Sequence, residues 1–93
     1  MPRTSLKIYY ECLDILTNRM CSWIDVINIC HILIIDKLAF HDLDDEDWQM
    51  ITIGRVQAEE TRAHSEFHEY LIILVMHLIT NTHIYNHDYT NVR

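Results

Sequence analysis

Glycine and proline occur once each in this chain, as Gly54 and Pro2. Sheet-rich folds of this size need many tight turns, and glycine and proline are the usual turn residues. Their scarcity excludes a sheet-rich architecture and leaves few, long elements, which in 93 residues means helices. Lysine is nearly missing too, with only Lys7 and Lys37, and the seven Lys and Arg are scattered against 14 acids, for a net charge of -7. A phosphate-binding surface needs clustered bases, so nucleic acid and anionic membranes are excluded as expected partners. An acidic balance instead favours attraction to a basic protein.

Membrane-spanning length is also lacking. A spanning helix needs about 20 predominantly apolar residues. The two strongest runs, Val26–Ile35 and Tyr70–Ile79, are shorter than that and carry Asn28, His31 and His77. Met1–Asp14 is charged throughout and has no apolar centre, so no secretory leader is expected. Cys12, Cys21 and Cys30 are odd in number and form no CxxC, which suits small buried thiols in a reducing cytoplasm. Glycine-rich phosphate loops, nucleophile elbows and HExxH are absent from the chain.

Hydrophobic residues make up 49% of the chain, enough for a core. Leu6, Tyr9, Leu13, Leu16 and Met20 recur at helical spacing, predicting a first helix from Thr4 or Ser5 to about Asn18, with a break at Thr17–Arg19. Ser22-Trp23-Ile24-Asp25 matches a capping box and predicts a second helix over 22–40, apolar around nearly its whole circumference and so buried on all sides. His41–Asp47 reads as a loop leading into Asp44–Asp47 at a helix start, where carboxylates complement the dipole. Trp48–Ile53 is ambiguous before Gly54. From Arg55 a single helix is predicted to about Thr80, with Val56, Ala63 and Phe67 as its thin apolar stripe. The fold class is therefore all-α, a small bundle of three to four helices, with 1–80 as one domain and 81–93 as a polar tail. Helices apolar on every side cannot cover one another in so short a chain, so a homodimer is expected to complete the core.

Two clusters carry candidate chemistry. Glu60, His64 and His68 are spaced i, i+4, i+8, which on one continuous helix is a shared face able to chelate zinc, nickel or copper. The blander alternative is a solvated helical face. Arg62-Ala-His-Ser-Glu-Phe-His68 resembles the short Arg…His motif of HEPN-type helical ribonucleases. The resemblance covers seven positions and implies a dimer with Arg62 and His68 in a composite site, although the acidic surface opposes RNA. Cys30 and His31 are adjacent, about 100° apart on a helix, and so are not expected to pair.

Asp42, Asp44, Asp45, Glu46 and Asp47 crowd five carboxylates beside Trp48. A calcium loop is excluded, because its glycine and final acid positions hold Asp47 and Ile53. The segment is expected to steer a basic protein partner and anchor it on Trp48. Together these features favour a cytoplasmic, non-enzymatic protein-binding module of the inhibitor, immunity-protein, antitoxin or phage-modulator kind. A metal-binding helical protein and a helical ribonuclease are the alternatives.

Overall fold

A computed structural model describes the backbone of residues 2–40, 43–63 and 67–92, and the side chains of 6–35, 43–63 and 67–82. The described residues form four helices and no strand: α1 (Pro2–Thr17), α2 (Trp23–Phe40), α3 (Asp45–Thr61) and α4 (Phe67–Val92). Proline at the first position of α1 suits that site, whose N–H has no helical partner.

α1 ends at Thr17, at the break expected over Thr17–Arg19. The Asn18 side chain accepts the Met20 N–H at 2.8 Å, and the Cys21 N–H returns to the Asn18 carbonyl at 3.0 Å, closing a turn. Met20 thereby leaves the stripe and is 84% exposed. The capping signal at Ser22 is half realised. The Asp25 carboxylate accepts the Ser22 N–H at 2.9 Å, while the Ser22 hydroxyl donates to that same carboxylate at 3.3 Å.

α2 is not buried on all sides. Val26, Ile27, Ile29, Cys30 and Leu33 are buried, but Ile24, Asn28, His31 and Ile35 lie exposed along one narrow outer face. α3 starts on Asp44, whose side chain accepts the Asp47 N–H at 2.9 Å. It runs unbroken through Trp48–Ile53, the ambiguous stretch, burying Trp48, Ile51, Gly54 and Ala58. Val56 and Ala63 are exposed, so the stripe expected there is not the buried one.

The largest departure is the break between α3 and α4. Arg62 adopts a left-handed conformation (φ 50°) and returns its N–H to the Ala58 carbonyl at 2.9 Å, ending α3. Phe67 then turns back onto Gly54. A Cβ at Gly54 would fall against the Phe67 ring, well inside van der Waals contact, so only glycine admits this approach. Phe67 stacks on Tyr70 with centroids 5.3 Å apart, and the Tyr70 hydroxyl donates to Asp47 at 2.8 Å. The start of α4 is thus held to α3 by a ring seat and a hydrogen bond.

α4 packs chiefly on α1, α2 packs on α3, and the α1–α2 hairpin joins the two pairs. One cluster, including Tyr9, Cys12, Leu16, Ile29, Leu33, Ile51, Leu71, Val75 and Leu78, forms the core. The helix of α4 continues to Val92, through the segment read as a polar tail. The whole is a slab of 50 × 28 × 17 Å. So thin a body leaves apolar side chains outside, among them Ile73 (68% exposed) and Met76 on α4. No helix among the described residues is long and apolar enough to cross a membrane.

Candidate functional site

The acidic segment sorts into carboxylates with structural work and carboxylates without. Asp44 is the N-cap of α3. Asp47 is half-buried and accepts from Tyr70. Burial first, then the Asp47 hydrogen bond and the charges of Asp47, Asp44 and Glu46, hold the Tyr70 phenol well above its ordinary pKa. Asp45 and Glu46 are exposed, and neither forms an ion pair or side-chain hydrogen bond among the described residues. Asp42 lies outside the described residues.

Trp48 is not the exposed anchor expected from its place beside the acids. It is 7% exposed, belongs to the core cluster, and its indole N–H donates to the Leu43 carbonyl at 3.2 Å. The physical reason is the phase of α3: Trp48 is in register with Ile51 and Ala58 on the buried side. Its edge does reach the surface. With Gln49, Thr52 and Ile53 it lines an open hollow of about 320 Å³. The Thr52 hydroxyl is turned back to the Trp48 carbonyl at 2.9 Å, which leaves the wall of the hollow largely apolar. Ile53 is 51% exposed there, and Met50 and Val56 are exposed nearby. Sequence reasoning missed these residues, although the polar setting of Met50, Ile53 and Val56, three apart, is a legible signal of a second, outward stripe.

The expected chelating face does not exist as one helical face. Glu60 is on α3, His68 is on α4, the helix is broken between them, and His64 lies outside the described residues. His68 instead uses its Nε2–H to donate to the carbonyl of Leu16, closing the end of α1 against the start of α4. Among the described residues no three His, Cys, Asp or Glu are grouped to hold a metal. The Arg62 guanidinium lies over the Trp23 ring, 5.9 Å from its centroid, while His68 contacts the Leu16 carbonyl.

The three cysteines are free thiols, with Cys12 and Cys30 buried and Cys21 half-buried. Burial pushes the Cys30 thiol up to about 12 despite the lowering charge of Arg55. Cys21 is raised by burial and then by the Asp25 charge. Both stay protonated near neutral pH, a poor state for a nucleophile. Cys30 is buried while its neighbour His31 is exposed, so the two point apart as the helix requires.

Comparison with protein families, curated proteins and solved structures yields no match at any of the three levels. On the outer side of α3, exposed carboxylates and exposed apolar side chains lie together.

Proposed function

We propose that this chain is a non-enzymatic protein-binding module that recognises a basic protein through the acidic start of α3. The observation that carries the reading is the pair Asp45 and Glu46, exposed and unmatched by any cation among the described residues. A helix start gains from one or two carboxylates. α3 has three in its first turn after an Asp N-cap. The surplus is mutual repulsion that a basic partner relieves, and such charges act mainly by raising the association rate. The module belongs by size and charge with inhibitors, immunity proteins, antitoxins and phage-encoded modulators, an analogy of class. Its three free thiols fit a reducing cytoplasm.

Self-association is part of the same proposal. Ile73 and Met76 on α4, and Ile24 and Ile35 on α2, are large apolar side chains left outside the fold. A two-fold contact through one of these faces would cover them.

The test uses the partner captured from native cells by the intact chain. Asp45→Asn with Glu46→Gln leaves the cap and the Tyr70 bond untouched, and is expected to slow association about tenfold at low ionic strength and to flatten its salt dependence. An unchanged rate at low salt overturns the proposal.

A further inference from the structure

The outer face of α3 has an order along its length that the acids alone do not explain. Asp45, Gln49, Thr52, Ile53, Val56 and Glu60 fall on one side of the helix, opposite the buried Ile51 and Gly54. All six are exposed. The stripe opens with a carboxylate, continues through the hollow beside Trp48, and closes on another carboxylate. Glu60 lies fifteen positions after Asp45, a rise of about 22 Å at 1.5 Å per residue. Glu46 reinforces the first acidic end. Glu59 flanks the second, its charge partly answered by Arg55 at 3.4 Å.

We infer that this stripe is the seat of a cationic amphipathic helix of a partner protein, laid along α3 with an apolar side chain in the hollow and a base at each end. The inference rests on the proposed function for the recognition of a basic partner, and adds its shape and seat. A hollow between successive turns of one helix takes the ridge of another, as helix pairs pack ridges into grooves. The amphipathic helix in an apolar groove is a recurring mode of recognition. Charge selects between occupants. If a second copy of this chain docked by the same stripe, acids would face acids whether the helices ran parallel or antiparallel. A cationic partner meets opposite charge at both ends.

The probe is a synthetic helical peptide of about 20 residues, with lysines at both ends of a leucine face so that they bracket about four turns. A control of identical composition carries its lysines in the middle and its leucines at the ends. Binding to the full chain is followed by calorimetry or fluorescence anisotropy. The end-charged peptide is expected to bind at least about tenfold tighter than the control, because only it aligns bases with acids and leucine with the hollow. Ile53→Ser, at an exposed position, is expected to weaken it about tenfold, since central apolar contacts dominate such interfaces. Met20→Ser, an exposed change in the turn between α1 and α2, should alter binding by less than about twofold. Equal binding of the two peptides, indifference to Ile53→Ser, or equal loss from Met20→Ser overturns the inference. So does a parent chain that self-associates on gel filtration and is dispersed by Ile53→Ser, because the hollow would then belong to a second copy. These outcomes leave the acid-dependent association rate of the captured partner unaffected, so the seat and the steering fail separately.

Discussion

Replacing Gly54 by alanine separates this fold from a continuous α3–α4 helix by the sign of one stability change. In a helix interior the substitution gains about 1 kcal/mol, because alanine has the better helix propensity. The backbone at Gly54 poses no obstacle, since its φ is not positive. The obstacle is the Phe67 ring, into which the new methyl projects. Phe67 is buried, stacked on Tyr70, and Tyr70 is tied to Asp47, so the ring cannot swing away without breaking that chain of contacts. Overpacking of this kind costs about 1–3 kcal/mol. The net expectation is a loss of about 1 kcal/mol, with a fall in Tm of about 4–8 °C for a domain of this length. Thermal unfolding followed by circular dichroism gives the sign directly. Phe67→Leu removes the ring, and in that background Gly54→Ala is expected to raise Tm, a non-additivity that reports contact between the two positions. If Gly54→Ala alone raises Tm by several degrees, Phe67 does not sit on Gly54 and the ring seat between α3 and α4 is refuted.

Trp48→Ala is expected to cost about 3–5 kcal/mol, as for a large core aromatic, and urea unfolding would show it; an unchanged midpoint would return Trp48 to the surface. Tyr70→Phe is expected to lose about 1 kcal/mol with its hydrogen bond to Asp47, measured in the same way. The Tyr70 pKa is raised above its ordinary value of 10.0, so its share of stability is intact below that pH and is lost as pH rises beyond it. Ultraviolet titration should show a late-ionising phenol that Asp47→Asn brings down. A thiol reagent at pH 8 is expected to modify half-buried Cys21 ahead of Cys12 and Cys30, and all three at once in denaturant; equal native rates would contradict the burial of the latter two.

The helical class, the turn at Asn18 and the acidic start of α3 were legible because each is written in local spacing and side-chain chemistry. The break after Thr61 was not. Neither glycine nor proline marks it, and Arg62 occupies a left-handed position that usually favours glycine or asparagine. What makes the turn is a long-range fit of Phe67 on Gly54, and a single sequence does not display such pairs. The same limit explains the candidate metal face, whose spacing assumed one helix through 60–68. α2 looked apolar all round because apolar residues flank its outer face; the structure shows Asn28 and His31 as the centre of that face, with Ile24 and Ile35 at its ends. Trp48 was placed by its acidic neighbours, whereas the phase of α3 sends it inward. The exposed apolar residues Met50, Ile53 and Val56 were present in the spacing, but the crowd of acids beside them drew attention to Asp42–Trp48 alone.

The outer face of α3 as the partner surface is tested most directly by mapping amide chemical shifts of the whole chain as the end-charged helical peptide is added to saturation. The expected result is a set of changes confined to Asp45–Glu60 and strongest at Gln49, Thr52, Ile53 and Val56. Changes centred instead on Ile73 and Met76 of α4, or spread evenly over the exposed apolar residues, would contradict it.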